Sequence, residues 1–312
     1  MHKRIVNQAI IELTISPVGR LLIKASDQGA DPTKPDMEFV ETYYAGNRSV
    51  YLPGSSLKGA IRAHCERIVR TLDGNVTACD PLKREARCRQ LSDQHGENTA
   101  AIYRDSCTVC QIFGSTDMAA HARIADAYPT NPQEIRLEER NGVAIDRVYG
   151  SVAVGPFNFE VLTSGEFTTK ITVKNFTTAQ LALIALAIRD FDQQRVGIGF
   201  AKSRGLGQVN MKVNSVEICY PTAVIENQQM KFLGNQIDSF SNNVVVGAGE
   251  LVNDAESYGF PTDDSFDVNV QAQSDDYGLG ATLSFKTNDD SDDITALWRE
   301  CVSKWCSLVE GG

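Results

Sequence analysis

The chain has 312 residues, 42% of them hydrophobic, which is enough for one large domain or two smaller ones. No apolar run could span a bilayer and the N-terminus resembles a strand, not a signal peptide, so we expect a soluble cytoplasmic protein. Residues 221–312 hold 4 basic and 16 acidic residues, and the net charge of −10 therefore leaves the first 220 residues at +2. The acidic total does not exclude nucleic-acid binding by those first 220 residues.

The N-terminal stretch predicts a half-buried strand, because Ile11, Leu13 and Ile15 alternate with polar residues. Residues 26–35 contain a glycine and two prolines, and they predict a loop. Three aspartates lie in or directly after this loop: Asp27, Asp31 and Asp36.

Residues 51–70 predict a loop that leads into a helix. Ser55 and Ser56 are expected to cap the helix, and the amides of the glycine-serine turn that starts at Gly54 are expected to face an anion. Apolar residues recur at helical spacing on one face: Leu57, Ile61, Cys65 and Ile68. Lys58 and Arg62 are four residues apart and add positive charge on another face. The arrangement suits a phosphate, although a capped helix with a solvated basic face explains the same residues equally well.

Residues 73–110 form a polar insert that has too few large apolar residues to fold by core burial alone. It contains four cysteines: Cys79, Cys88, Cys107 and Cys110. In a chain that is not secreted, such a set favours zinc over disulfides. Four thiolates would form a closed, structural Zn²⁺ site that folds the insert. His95 could replace one ligand, and four unrelated reduced thiols are the alternative.

The middle of the chain predicts a hairpin, a strand, a helix and a loop. The hairpin covers residues 142–160, the strand follows at residues 167–173, and residues 179–189 form a helix apolar on nearly every side, hence buried. Residues 197–207 contain four glycines with Lys202 and Arg204, which suits close approach to a phosphate backbone. A final strand follows. This order predicts an α+β domain over residues 1–220, with an RRM-like or ferredoxin-like antiparallel sheet and two helices on one face.

Residues 221–312 are predicted to form an acidic, partly disordered C-terminal extension, because asparagine, serine, glycine and aspartate dominate them. Residues 266–270 predict one strand. Asp292 or Asp293 is expected to cap a helix with one apolar stripe.

Together these motifs resemble the RAMP superfamily of CRISPR-associated proteins, and most closely the crRNA-binding backbone subunit of type III effector complexes. The resemblance is carried by residues 53–59 with Arg62, residues 113–115, residues 145–147 with Glu160, and residues 197–207. It covers roughly the first two-thirds of the chain. It implies the same RRM-like core, a hairpin that projects as a thumb, and a role in antiviral defence. The implied partners are crRNA, target RNA, and the other RAMP and large subunits of the complex, with no membrane.

The resemblance also implies roles for particular residues. The crRNA phosphates would be held by amides and cations of two stretches: Gly54, Ser55, Ser56, Lys58, Arg62, Gly199, Lys202, Arg204, Gly205 and Gly207. An aspartate before the glycine-serine motif would support cleavage of target RNA at regular intervals with a divalent cation, Mg²⁺ or Mn²⁺. Asp36 matches it best, and Asp31 and Asp27 are the alternatives.

Two other functions fit the same motifs. The chain could be a non-catalytic RAMP subunit that binds or caps crRNA in the same complex. A crRNA-processing endonuclease is less favoured, because that class commonly uses a histidine or tyrosine base and none of the four histidines is suitably placed.

Overall fold

A computed structural model describes residues 3–25, 35–72, 74–80, 82, 88–234, 239–288 and 291–311. The strands are β1 (Gln8–Pro17), β2 (Glu41–Tyr44), β3 (Asn47–Val50), β4 (Ala122–Ile124), β5 (Tyr128–Pro129), β6 (Arg136–Ile145), β7 (Val152–Ser164), β8 (Phe167–Lys174), β9 (Val209–Tyr220), β10 (Ala223–Glu226), β11 (Gln229–Phe232), β12 (Phe240–Ser241), β13 (Val244–Val246), β14 (Ser265–Asp267), β15 (Gln273–Ser274), β16 (Ala281–Asn288) and β17 (Ser291–Asp292). The helices are α1 (Gly54–Thr71), α2 (Leu91–His95), α3 (Thr99–Asp105), α4 (Thr108–Phe113), α5 (Thr178–Asp192), α6 (Ala248–Leu251), α7 (Ala255–Tyr258) and α8 (Asp293–Glu310).

The central sheet is antiparallel and contains eight strands. Its main path runs β15-β16-β9-β1-β8-β4, and β17 and β5 pair with β16 and β8 respectively. β1 lies between β8 and β9, so that Ile11 pairs with Ile171 on one side and with Val216 on the other. Alternate residues of β1 are buried, as its sequence predicts, so one face of the sheet carries the core.

Three long helices pack together over this core. α5 contacts α1, α8 and β9, and it is buried on nearly every side, as its composition predicts. Its first turn is fixed by a capping box between Thr177 and Gln180. A mixed α/β architecture with antiparallel sheets agrees with the predicted ferredoxin-like plan, and α8, the predicted C-terminal helix, packs against α5.

Within residues 221–312, the described part contributes a strand of the central sheet and a long helix. β16 pairs with β9 over residues 281–286, and α8 packs against α5. Leu283 and Phe285 are buried and alternate with polar residues, a strand pattern that the acidic composition of the segment obscures. Asp292 caps α8 by accepting a hydrogen bond from the Thr295 amide, as predicted.

Two further parts of the chain, a hairpin and the cysteine-bearing insert, lie outside the central sheet. β6 and β7 pair with each other as a separate two-stranded sheet, joined near its base by bridges from Leu21 to Leu162 and from Met37 to Phe159. The cysteine-bearing insert contributes α2, α3 and α4 between α1 and β4. No helix in the described ranges has the length and apolar character needed to cross a bilayer.

Candidate nucleic-acid interface

A groove brings together the two glycine-bearing stretches that the sequence singles out. It lies between α1 and the loop of residues 197–207, has a volume of about 390 Å³, and is called the α1–loop groove below. Its lining includes Ser56, Gly59, Ala63 and Arg67 of α1, Gly197, Gly199, Phe200 and Lys202 of the loop, and Lys24. Segments far apart in the sequence therefore meet at one surface.

The start of α1 differs from the predicted serine cap. The helix begins at Gly54, directly after the N-cap residue Pro53, so Ser55 and Ser56 lie in its first turn and are exposed. The Gly54 amide donates a 2.7 Å hydrogen bond to Oδ1 of Asp126, which places a carboxylate at the positive end of the helix. The Gly54 amide, predicted to bind phosphate, is therefore committed to Asp126.

Lys58 and Arg62 lie outside the described lining of the groove. Burial, and then the charge of Arg62, lower the pKa of Lys58. Arg62 faces the insert, since its Nε donates to Glu66 at 3.1 Å and its other nitrogens donate to the Gly114 carbonyl at 3.0 Å and to Sγ of Cys110 at 3.3 Å. The structure thus gives Arg62 partners within the protein, where the sequence predicted a phosphate.

Backbone contacts hold the glycine loop in place. Gly199 and Gly207 have φ values of +76° and +88°, and a Cβ on either would collide with a backbone carbonyl oxygen, of Leu22 and Ile198 respectively. The Gly207 amide donates to the Arg20 carbonyl at 2.8 Å, and the Gly205 amide donates to the Lys202 carbonyl at 3.3 Å. These two amides, predicted to bind phosphate, instead shape the loop.

The cations of the loop remain at the surface. Lys202 and Arg204 lie in a short 3₁₀ turn, and both side chains are exposed. The Arg204 guanidinium lies 5.3 Å from the centroid of the Phe200 ring, a cation–π distance that positions it beside the groove-lining Phe200. The loop therefore offers two positive charges next to the groove.

Arg67 and Phe200 line the groove and were missed by the sequence reasoning. The signal for Arg67 was available, because it follows Ala63 by four residues and Gly59 by eight, and so shares their face of α1. Small residues on that face let the loop approach the helix, and Arg67 is its exposed cation.

Asp36 lies where the segment after the first loop meets β7. Its Oδ2 accepts a 2.9 Å hydrogen bond from the Asn158 amide, and its side chain is exposed. Phe39, three residues later, forms a bridge with Lys24 of the groove, and its amide donates to the Glu160 carboxylate at 3.1 Å. Asp27 and Asp31 lie outside the described residues.

The four cysteines of the insert converge on one point. Their sulfur atoms lie within 4.8 Å of one another, and three of the residues are buried: Cys88, Cys107 and Cys110. Cys79 Sγ is 3.5 Å from Cys107 Sγ and 3.9 Å from Cys110 Sγ. A tetrahedral Zn²⁺ with Zn–S bonds of about 2.3 Å spaces its sulfurs by about 3.8 Å, so these residues fit such an ion.

The thiols of this cluster are electrostatically coupled. Hydrogen bonds from the Cys110 and Cys88 thiols lower the pKa of Cys107, and the same contacts with Cys107 raise the pKa values of Cys88 and Cys110. The Arg62 guanidinium, 3.3 Å from Cys110 Sγ, places a positive charge beside the sulfurs. Thiolates are the form that binds zinc, and a cation in the second coordination sphere offsets their negative charge.

The fold and the groove define a class of protein: an α+β domain of ferredoxin-like type with a groove that is lined by Lys24, Arg67 and Lys202. The chain belongs to the RAMP superfamily, since the model of that family matches residues 19–210, which include both groove-forming stretches. This membership supports a CRISPR-associated RNA-binding subunit. No match was found among curated proteins.

Proposed function

We propose that this chain is the crRNA-binding backbone subunit of a type III CRISPR effector complex, and that the α1–loop groove holds the phosphates of the guide RNA. One observation carries the proposal: Arg67 of α1 and Lys202 of the glycine loop line the same groove. Contacts to phosphates bind RNA without reading its sequence, so base pairing between guide and target would select the target. Other RAMP subunits and large subunits would complete the complex in the cytoplasm.

The hairpin β6–β7 is proposed to act as a thumb that displaces one nucleotide of the paired strands. Two observations support this role: the hairpin forms a sheet of its own, and Val148 and Tyr149 at its tip are 80% and 85% exposed. Phe159, an aromatic residue nearer the base, packs against the core, so we do not propose that it displaces the nucleotide.

Asp36 is proposed to support cleavage of the target RNA. Within the described part of the chain, the four cysteines form the single group of three or more metal-ligating side chains, so Asp36 would hold a hydrated Mg²⁺ or Mn²⁺ by one carboxylate. Such an ion would stabilise charge on the scissile phosphate and lower the pKa of the attacking hydroxyl. The Asn158 amide orients the Asp36 carboxylate for this purpose.

The binding function is tested by titrating the full chain with a labelled single-stranded RNA at several salt concentrations. Arg67→Ala and Lys202→Ala should each weaken binding and reduce the slope of log affinity against log salt by about 0.7, because each removes one phosphate contact. Lys231→Ala is the matched control, since Lys231 is an exposed lysine on β11 outside the groove lining. Unchanged slopes in both groove variants would contradict the proposed interface.

The cleavage function is tested in the assembled complex. Asp36→Asn should abolish cutting of target RNA and leave guide binding intact, because the substitution keeps the shape of the side chain and removes its charge. Asp276→Asn, at another exposed aspartate, should cut like the wild type. Wild-type cutting by Asp36→Asn would remove Asp36 from the mechanism and leave Asp31, Asp27 or a non-catalytic guide-binding subunit.

A further inference from the structure

Three tyrosine rings form a stack outside the α1–loop groove. The centroids of Tyr44 and Tyr128 are 4.5 Å apart and their planes differ by 9°, while Tyr51 and Tyr128 are 6.0 Å apart and differ by 16°. The Tyr128 ring therefore stacks against both of the other rings. These three residues are called the tyrosine stack below.

Local backbone structure fixes the positions of the three rings. Tyr44 ends β2 directly before Ala45 and Gly46, whose φ values of +49° and +84° make a tight turn into β3. Tyr51 and Tyr128 flank the bridge between Leu52 and Ala127, which is closed by hydrogen bonds of 2.9 and 2.8 Å. The stack is thus built on paired strands and does not depend on a free loop.

The stack is partly open to solvent. Tyr44 is 37% exposed and its neighbour Tyr43 is 80% exposed, so aromatic surface at this hairpin lies in water. The remaining partly or fully exposed side chains of β2 and β3 are polar: Glu41, Thr42, Asn47, Arg48 and Ser49. A flat ring with a polar rim suits a planar, polar-edged ligand better than the aliphatic side chains of a protein interface core.

The stack lies next to the start of α1. Tyr51 precedes Gly54 by three residues, and Tyr128 follows Asp126, the residue that accepts the hydrogen bond from the Gly54 amide. Ser56, in the first turn of α1, lines the groove. A strand whose phosphates follow the groove would therefore bring a base close to the rings.

We propose that the tyrosine stack binds one unpaired nucleobase of a single-stranded RNA, with the base lying against Tyr44. This inference rests on the proposed binding of RNA phosphates in the α1–loop groove. Every nucleobase has a π face, so such a site accepts any base and complements phosphate contacts that also ignore sequence.

The test compares two probes that bind the full chain: a single-stranded RNA, and a strand of the same length with the same sugar-phosphate backbone but no bases. Tyr44→Ala should weaken RNA binding by between about fivefold and a hundredfold, because a base–aromatic stack is lost. It should bind the abasic strand like the wild type. Tyr44→Phe keeps the ring and should keep the affinity. Tyr277→Ala, which removes a 96% exposed tyrosine elsewhere, should also leave it unchanged.

The outcomes separate this inference from the function on which it rests. If Tyr44→Ala binds RNA like the wild type while Lys202→Ala is weakened, the base site is refuted and the groove stands. If Tyr44→Ala loses as much affinity for the abasic strand as for RNA, its role is structural and the base site is refuted. If it impairs subunit assembly and leaves RNA binding intact, the rings contact protein and the base site is again refuted. If the groove variants also bind normally, both proposals fail.

Discussion

Asp264 joins the start of α5 to the segment before β14, and its replacement should change both the stability of the protein and the pH dependence of that stability. The side chain is fully buried. Its Oδ1 accepts hydrogen bonds from the amide and hydroxyl of Thr178 at 2.8 and 2.7 Å, and its Oδ2 accepts one from the Gly249 amide at 2.9 Å. Burial raises the pKa of Asp264 from 3.8 to about 7, although these hydrogen bonds act to lower it.

The raised pKa means that folding takes up a proton at Asp264. This contribution to stability is fully present below the unfolded pKa of 3.8 and is lost as the pH rises through about 7. At about 1.36 kcal/mol per pKa unit, this residue alone should lower the free energy of unfolding by about 2.5 kcal/mol between about pH 5 and about pH 8. Asp264→Asn cannot ionise, so it should remove that part of the dependence. It should also cost about 1–3 kcal/mol at about pH 5, because one buried hydrogen-bond acceptor is lost.

Urea unfolding at a series of pH values measures both effects. Asp263→Asn is the matched control, because the adjacent Asp263 is exposed and lies 2.6 Å from Nζ of Lys304. This control should keep the pH dependence of the wild type. A wild-type pH dependence in Asp264→Asn would refute the reasoning, since the proton taken up on folding would then belong to another group.

Two further predictions concern α1 and the cysteine cluster. Gly54→Ala should lower the free energy of unfolding by about 1–3 kcal/mol, because the added Cβ would collide with the Ile124 carbonyl oxygen. A Cβ at Gly59 meets nothing within 4 Å, so Gly59→Ala should raise the free energy of unfolding by about 0.5–1 kcal/mol. Equal melting temperatures for the two variants would contradict this. Metal analysis should find Zn²⁺ in the wild type, and Cys107→Ser should lose this ion and make the insert sensitive to protease. The control Cys306→Ser changes an exposed cysteine and should keep both the metal and the protease resistance. Zinc retained by Cys107→Ser would count against the cluster.

Sequence reasoning succeeded where a residue's structure depends on its near neighbours. Alternation along β1 and β8, and the apolar run of α5, predict the buried face and the buried helix because both patterns follow from strand and helix periodicity. The Asp292 cap is similarly local, since its partner amide is only three residues away. The cysteine cluster could be predicted from residue type, because four cysteines in one short polar insert favour a shared metal site.

The failures occur where a partner distant in the sequence decides the outcome. Arg62 shares a helix face with Lys58, yet Gly114 and Cys110 determine where its guanidinium lies. Asp264 belongs to an acidic pair, Asp263-Asp264, which suggests an exposed side chain. The side chain is instead buried, where it accepts hydrogen bonds from the Thr178 and Gly249 amides. Neither contact affects the local sequence pattern, so periodicity and composition could not predict these hydrogen bonds.

α1 has three faces, and this arrangement explains how one helix can serve the core, the cysteine cluster and the groove. Its apolar face, with Leu57 and Ile61, fixes its position in the core. A second face binds the insert, where Arg70 donates to the Cys79 carbonyl at 2.6 Å and Arg62 donates to Cys110. The third face carries Arg67 into the groove. Because a helix is stiff over four turns, contacts that fix the second face also fix the third. The insert, whose cysteines fit a Zn²⁺ ion, therefore helps to fix the position of the RNA-binding face that we propose, although the two lie on different sides of the helix.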